Sequence, residues 1–321
     1  MKKILCFLLL LLLICPAAMA GEIVELPINL SPGLPPQADG YIYEEGSEDP
    51  IGYEDPSISV HLTRGRYLDT SWLAAKVRVA TPAQVRTAMS SGIGDEVVVV
   101  GPTVARKNKT VFAINGDYFS ARSGGYLVRQ GRRYRMNCHG GHDVLIIDDK
   151  GDLHVIPKAT NTTVKAFEGT VINSFTFGPC LIIDGQKRTD EDYVYFDVGM
   201  YKKTQRMAIC QTGPLEYLCV CCEGPENNGS LGLTMDEFTD LLLTFDGIQI
   251  AYNLDGGSSS TAVFQDKNGD YYKINSQDSK IRPIKDLLYF ASAWQPGADD
   301  TETPGFTVAD PAEESFLVTD D

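Results

Sequence analysis

The segment 253–257, Asn-Leu-Asp-Gly-Gly, is where the residue types of this chain could most plainly do chemistry. An apolar, β-branched run, 248–252, precedes it and predicts a buried strand. The strand ends in the carboxylate of Asp255 and two glycines, and the hydroxyl residues 258–261 follow. This order places a charge, flexible backbone N–H groups and several hydroxyls together. A β-turn is the alternative, but a hairpin turn needs only about two to five residues, so the longer polar run favours a functional loop.

Two other elements are expected to position this loop. Thr234 and Glu237 form a capping box that opens an amphipathic helix just before the strand. Farther upstream a second apolar strand ends in Asn115-Gly116-Asp117, for which a type I′ hairpin turn is the alternative. Because both strands end in Asn and a carboxylate, we expect the two ends to converge at one edge of a sheet.

Three further segments are weaker candidates for chemistry. The segment 138–142, Cys-His-Gly-Gly-His, suggests an esterase-type oxyanion loop or a metal site. The G-x-S-x-G motif of such esterases does not occur in the sequence, and the whole chain has four histidines, so a glycine-rich turn is favoured over zinc. The acidic segments 148–152 and 266–270 resemble calcium loops without the bidentate Glu at their end, which favours hairpin turns.

Composition and the first residues narrow the class of protein. The formal charge of −15 and the pI of about 4.7 argue against a nucleic-acid binder, which needs a basic face. Residues 1–20 have a basic start, an apolar core and an Ala-x-Ala end. They predict a cleaved signal peptide, a secreted or cell-wall-associated protein and no integral membrane segment after cleavage. Six cysteines then remain, and they predict disulfides or buried thiols rather than a metal cluster.

The predicted fold class is α+β, with a single β-rich domain of mixed or antiparallel sheet and a few helices. Runs of strands with only two convincing helices argue against a doubly wound sheet. We assign residues 21–52, rich in Pro, Gly, Glu and Tyr, to a leader or linker with little order. The domain is expected to span residues 53–296, followed by an acidic tail at 297–321.

The motifs follow one another in a particular order along the chain. Three motifs precede the capped helix and segment 253–257: Asn115-Gly116-x-Tyr118-Phe119, Gly178-Pro179-x-Leu181 and Arg206-x-Ala208-Ile209. Asn275 and Arg282 follow them. Over residues 53–294 this order resembles the phosphodiester glycosidase family. The chain departs from the family at Asp117, where a second glycine is usual, and at Ser258, where many members have a third glycine.

The resemblance implies cleavage of the C1–O bond of a sugar-1-phosphodiester. The phosphate monoester that leaves has a second pKa of about 6, so one essential carboxylate could replace the usual pair. In this implied site Asp255 is the nucleophile or base, and Asp117 is a candidate second carboxylate. Arg206 and Arg282 would hold the phosphate, although salt bridges to nearby acids are their alternative role. The other implied binding residues are Asn115, Asn253, Gly256, Gly257, Ser258, Ser259 and Asn275.

The expected function is therefore that of a secreted glycosidase acting on bonds like GlcNAc-1-phosphodiesters, in glycans or in a cell-wall or exopolysaccharide polymer. Its partner is a carbohydrate phosphodiester and not nucleic acid. No cofactor is expected, and the sequence leaves a divalent metal open. The alternative is a binding module of the same fold that holds a sugar phosphate without turnover. A serine hydrolase that uses Ser258 or Ser259 is disfavoured because G-x-S-x-G does not occur.

Overall fold

The computed structural model of the chain describes residues 21–47, 49–96, 99–121, 123–189, 199–225, 229–266, 268–276 and 281–297. The predicted signal peptide and residues 298–321 of the predicted tail lie outside this part of the chain. Contacts group Ile23–Trp294 into one compact unit, and the described residues of a second unit are 21–22 and 295–297. No described helix is both long and apolar enough to cross a membrane.

Strands make up most of the regular structure. The three α-helices among the described residues are α1 (Gly101–Asn108), α2 (Asn161–Lys165) and α3 (Met235–Leu242). The strands, in chain order, are β1 (Gly21–Ile23), β2 (Tyr41–Tyr43), β3 (Pro50–Asp55), β4 (Ile58–Tyr67), β5 (Thr70–Val79), β6 (Val85–Met89), β7 (Thr110–Asn115), β8 (Gly125–Arg129), β9 (Arg132–Asn137), β10 (Val144–Asp148), β11 (Leu153–Ile156), β12 (Val171–Phe175), β13 (Cys180–Ile183), β14 (Gln186–Lys187), β15 (Arg206–Gly213), β16 (Glu216–Cys222), β17 (Ile250–Asn253), β18 (Ala262–Gln265), β19 (Tyr271–Lys273), β20 (Asp286–Ala291) and β21 (Trp294–Pro296).

The strands form three large sheets and one small one. The largest has nine strands in the order β14-β13-β17-β15-β16-β5-β4-β3-β2. Two five-stranded sheets have the orders β19-β18-β7-β20-β6 and β11-β10-β12-β8-β9, and β1 pairs with β21. Every described pairing with a defined register between these strands is antiparallel. The prediction of a β-rich domain with antiparallel sheet and few helices is confirmed, while the helical share of an α+β fold is small.

The main core lies between the nine-stranded sheet and the sheet that contains β7. Side chains alternate across each strand, so one side of β4, β5, β16 and β15 joins this core, for example through Val60, Val77 and Ile209. Phe112 and Phe290 meet them from β7 and β20. The other side of the nine-stranded sheet is covered by the apolar side of α3. The sheet is thus buried on both faces around β15 and β17, the strands next to segment 253–257.

The described residues of 23–52 are grouped by their contacts with the compact unit. They supply β2 and part of β3, the edge of the nine-stranded sheet. The guanidinium group of Arg86, which is fully buried, donates hydrogen bonds to the carbonyls of Pro27, Asn29 and Ser31. A composition rich in Pro and Gly gave no sign of this, because the anchor is a distant arginine that binds backbone oxygen.

The weaker candidates for chemistry are turns and buried thiols. The acidic segments 148–152 and 266–270 are the hairpin turns of β10–β11 and β18–β19, as predicted. In each turn the first aspartate accepts backbone N–H groups within the turn. The six cysteines after the predicted signal peptide are free and buried. Within the described residues, no cluster of three or more His, Cys, Asp or Glu side chains could hold a metal ion.

Candidate active site

Three strand ends meet around Gly116. β7 ends at Asn115, β17 ends at Asn253, and β20 begins at Asp286. The N–H of Gly116 donates to the backbone carbonyl of Asp286 at 3.1 Å, and its own carbonyl accepts the N–H of Asp255 at 3.2 Å. The expected convergence of the two Asn-ended strands is therefore observed, and β20 contributes a third end.

Close packing explains two of the glycines at this junction. A Cβ atom on Gly116 would lie 2.3 Å from Oδ1 and 2.5 Å from Oδ2 of Asp286. A Cβ atom on Gly256 would lie 2.7 Å from the carbonyl oxygen of Gln205. Side chains do not approach other atoms this closely, so both positions require glycine. The glycines thus let a carboxylate and a neighbouring strand approach the loop backbone.

Asp255 is half-buried, and its carboxylate is held by its own loop. The side chain of Ser259 and the backbone of Gly256 lie beside it and favour its charged form. Burial raises the pKa of Asp255 to about 6; Ser259, the positive charge of Arg282 and Gly256 oppose the rise, and the charge of Asp117 adds to it. A carboxylate with a pKa near 6 is ionised at neutral pH yet basic enough to take a proton in a reaction.

Arg282, one of the two arginines predicted to hold the phosphate, is exposed. Its Nη1 donates to the hydroxyl of Ser258 at 3.1 Å. Its guanidinium carbon lies 5.6 Å from the ring centre of Tyr118, a residue with a φ of 50°. The structure therefore brings Arg282, from the segment after β19, to the loop of Asp255 and Ser258, with a hydroxyl and a guanidinium group open to a ligand.

Asp117 lies in a buried cluster with Arg129 and Asp286. Nη2 of Arg129 donates to Asp117 Oδ1 at 2.8 Å and to Asp286 Oδ2 at 2.5 Å, and Nε donates to the same oxygen of Asp286 at 3.1 Å. The second oxygen of Asp117 accepts the backbone N–H of Thr176 at 2.8 Å. The three side chains are at most 2% exposed. Asp117 is thus engaged on both oxygens, which suits a supporting carboxylate better than one that touches substrate.

The charges in this cluster change the pKa of Asp286. Burial raises the pKa of Asp286 to about 7, the Arg129 guanidinium opposes the rise, and the charges of Asp117 and Asp255 add to it. The carboxyl groups of Asp117, Asp255 and Asp286 are therefore close enough to influence one another. A change of charge on any of them changes the affinity of Asp255 for a proton.

Arg206 is buried and binds backbone oxygens. Its Nε donates to the carbonyl of Leu233 at 3.1 Å, and its Nη2 donates to the carbonyls of Gly199 at 2.5 Å and Lys202 at 2.8 Å. Burial lowers its pKa to about 10. None of the ion pairs found in the described residues includes it. These contacts fix the chain around the start of β15, so its predicted binding of phosphate is not supported by the geometry.

Two of the predicted asparagines tie the loop to the fold. Asn115 donates through Nδ2 to the carbonyl of Asp255 at 2.8 Å, and its Oδ1 accepts the N–H of Thr261 at 2.9 Å. Asn275 accepts the N–H of Ala262 at 2.7 Å and donates to a backbone carbonyl. Both amides are thus used at both ends within the chain, and they position the loop from its two sides.

The backbone N–H of Gly257 and the amide of Asn253 are occupied or buried. The N–H of Gly257 donates to the carbonyl of Gln205 at 2.9 Å, so this donor is occupied. Asn253 donates through Nδ2 to the carbonyl of Gly178 at 2.8 Å. Its Oδ1 is buried without a hydrogen-bond partner in the described part of the chain, and so it is not accessible to a ligand.

Sequence reasoning did not single out Arg129 or Asp286. Asp286 is the first residue of β20, which runs antiparallel to β7 and pairs Leu287 with Asn115. The start of one antiparallel strand lies beside the end of its neighbour. A carboxylate at the head of a strand was therefore a usable signal once the pairing was known. Arg129 ends β8, and nothing local marks it.

The segment 138–142 forms the predicted glycine-rich turn. Gly140 has a φ of 81°, and His139 pairs with Thr160 in an isolated bridge. A cavity of about 160 Å³ lies beside the turn and is lined by His139, His142, Cys138 and neighbouring residues. Among the described residues, no group of three or more His, Cys, Asp or Glu side chains at this cavity could hold a metal ion.

Known proteins resemble this chain in sequence and in fold. A sequence profile of the phosphodiester glycosidase family matches residues 108–291. No curated protein sequence matches the chain. The fold is similar to the catalytic domain of zebrafish N-acetylglucosamine-1-phosphodiester α-N-acetylglucosaminidase, auto-inhibited by its pro-peptide, with a TM-score of 0.59 and 17% identity over 74% of this chain and 85% of that one. A hypothetical protein from Synechocystis has a TM-score of 0.47 and 14% sequence identity to this chain. The match covers 73% of this chain and 62% of that one.

Proposed function

The chain belongs to the phosphodiester glycosidase family, and we propose that it is a secreted hydrolase that cleaves sugar-1-phosphodiester bonds. The observation that carries this proposal is that Arg282, from the segment after β19, donates to the hydroxyl of Ser258 on the Asp255 loop and acts through its charge on Asp255. The reaction requires a carboxylate, which attacks the sugar carbon C1 or activates water there. It also requires an accessible cation, which stabilises the phosphate that leaves.

The reaction follows from these groups. As a base, Asp255 takes a proton from water, the water oxygen bonds to C1, and the C1–O bond to phosphate breaks with its electron pair on the phosphate oxygen. As a nucleophile, the Asp255 oxygen bonds to C1 first and water then hydrolyses the ester. In both cases the guanidinium of Arg282 stabilises the departing phosphate. Because a phosphate monoester is a weak base, its departure does not require a second carboxylic acid.

The proposed sugar is N-acetylglucosamine linked through C1 to phosphate. Support comes from the family match and from the name of the zebrafish enzyme, whose fold this chain shares. Export is proposed from the character of residues 1–20, and the substrate would then be a glycan or wall polymer outside the cell.

The test is the release of free GlcNAc from UDP-GlcNAc and from a synthetic GlcNAc-α-1-phosphodiester. We expect the parent to release the sugar and Asp255→Asn to lose at least about 10²-fold in rate, since positioned acid–base groups contribute about 10² to 10⁴. Asp149→Asn, which removes an exposed carboxylate from a hairpin turn, is the matched control and should keep the parent rate. Equal rates in the Asp255→Asn and Asp149→Asn proteins would remove Asp255 from the mechanism.

A binding module is the second candidate, and one observation favours it. Glycosidases generally use two carboxylates, whereas Asp117 and Asp286 are buried and engaged with Arg129. Under this alternative the parent binds UDP-GlcNAc and releases no GlcNAc, and Asp255→Asn binds it as tightly. Sugar release by the parent that depends on Asp255 would rule the module out.

A further inference from the structure

The core-facing side of β4 changes character along the strand. Ile58 and Val60 are buried in the main core, and Leu62 packs against it. The next two residues on the same side are Arg64 and Arg66, and both are exposed. Because side chains alternate along a strand, the two guanidinium groups continue the core-facing row beyond the point where the core ends.

These arginines line a groove of about 440 Å³, together with Gly65, Ser71, Trp72 and Glu223. Arg66 donates to the hydroxyl of Ser71 at 3.0 Å, and Arg64 donates to the carbonyl of Ile274 at 2.9 Å. Neither arginine takes part in any ion pair found in the described residues. Since a guanidinium group has five N–H donors, most of the donors of both side chains are left for a ligand.

One acidic side chain shares the groove, and it is anchored to the opposite wall. The carboxylate of Glu223 accepts the backbone N–H of Ser276 at 2.9 Å and also the hydroxyl of that residue. Ser276 and Ile274 belong to the segment that follows β19 and leads towards Arg282. The groove wall is therefore part of the same stretch of chain that supplies the cation beside Asp255.

The groove and the Asp255 loop lie along one end of the nine-stranded sheet, on the same side of it. Backbone pairings lead from Arg64 across the sheet through Leu73, Cys221 and Met207 to Leu254, the residue before Asp255. The partner residues Leu73, Cys221, Met207 and Leu254 all join the main core, which fixes the side of the sheet. β4 and β17 are four strand spacings apart in the sheet order, which corresponds to about 19 Å at about 4.8 Å per strand.

We propose that Arg64 and Arg66 form a second anion-binding subsite, which holds another phosphate of a substrate whose first phosphodiester lies at Asp255. The inference rests on the proposed function and narrows its substrate class to a chain of sugars joined through phosphodiesters. Two accessible cations without an acidic partner stand out in a chain with a formal charge of −15. The planar fork of arginine suits phosphate oxygens, and the spacing of about 19 Å suits an extended chain rather than one sugar diester.

The test compares a short and a long ligand on protein that does not turn them over. A synthetic tetramer of GlcNAc units joined through phosphodiesters, and the methyl diester of GlcNAc-1-phosphate, are titrated by calorimetry into the Asp255→Asn protein. We expect Arg64→Gln/Arg66→Gln to weaken tetramer binding about tenfold, as for two accessible ion pairs, and to leave binding of the methyl diester unchanged. Lys76→Gln/Arg78→Gln, which removes two exposed cations from β5, should change neither.

The outcomes separate this proposal from the one on which it rests. Equal tetramer affinity in the Arg64→Gln/Arg66→Gln protein and its Lys76→Gln/Arg78→Gln control would overturn the subsite. An equal loss for tetramer and methyl diester would also overturn it, because the arginines would then act at Asp255 itself. If the parent releases no GlcNAc from either ligand, the proposed hydrolase is refuted, while the affinity comparison still decides whether the arginines bind the chain.

Discussion

Arg129 is the residue whose removal most directly tests the description of the buried carboxylate cluster. Its side chain is 0% exposed and makes five described hydrogen bonds, to Asp117, to Asp286 and to two backbone carbonyls. Its guanidinium carbon also lies 4.4 Å from the ring centre of Phe175. Arg129→Met keeps an unbranched side chain of similar length and removes the charge, so two buried carboxylates lose their shared partner.

The expected loss is large because the remaining partners stay buried. Removing one member of a buried ion pair costs about 3–5 kcal/mol, and at about 2–4 °C per kcal/mol the Tm should fall by about 6–20 °C. The loss should grow with pH. Without Arg129 the folded-state pKa of Asp286 lies above its unfolded value, so the folded state binds protons more tightly, and stability falls as pH rises towards the folded-state value.

The assay is urea unfolding of the parent and Arg129→Met at about pH 5 and about pH 8, on either side of the folded pKa of about 7 for Asp286. Arg132→Met, on the neighbouring strand and exposed, should stay within about 0.5 kcal/mol of the parent. Adding Asp286→Asn to Arg129→Met should restore part of the loss, since it removes one uncompensated charge. Matching midpoints for Arg129→Met and Arg132→Met, or an Arg129→Met protein that is more stable at about pH 8, would refute the reasoning.

Two further predictions concern the loop itself. The positive charge of Arg282 lowers the pKa of Asp255, so Arg282→Gln should move the acid limb of kcat/KM to higher pH and raise KM; an unmoved limb in the pH profile would contradict this effect of the Arg282 charge. Gly116→Ala places a methyl group 2.3 Å from Asp286 Oδ1, and we expect a loss of about 1–3 kcal/mol in the free energy of unfolding together with most of the activity. Gly141→Ala, whose Cβ would meet nothing within 4 Å, is its control, and equal urea midpoints for the two variants would argue against the contact.

Features with short-range causes could be predicted from the sequence. Thr234 and Glu237 form the capping box reciprocally, at 2.9 and 3.2 Å, and α3 begins at Met235 as predicted. The cause lies within three residues, so the pattern was enough. The meeting of the Asn115 and Asn253 strand ends was also predictable, because each strand showed the same polar ending after a buried run.

Features with distant causes could not be predicted in this way. Asp286 and Arg129 are 157 residues apart in the chain, and their pairing exists only once β8 and β20 have packed. Arg206 is a cation whose role depends on which oxygen lies nearby, and folding supplies three backbone carbonyls. The sequence predicts that Asp255, Ser258 and Arg282 act in the site; the structure brings them together, and their catalytic roles stay predictions.

The position of β7 between β18 and β20 has a consequence for synthesis of the chain. Both partners of β7 come later in the sequence, beginning with Ala262, which pairs with Ile114. β7 ends at Asn115 and is buried along its whole length. At about 5–20 residues per second, a ribosome takes about 7–30 s to supply the first partner. During that time an apolar strand has both hydrogen-bonding edges unpaired, the state most exposed to aggregation, and the Asp255 loop cannot reach its described position until nearly the entire domain has been made.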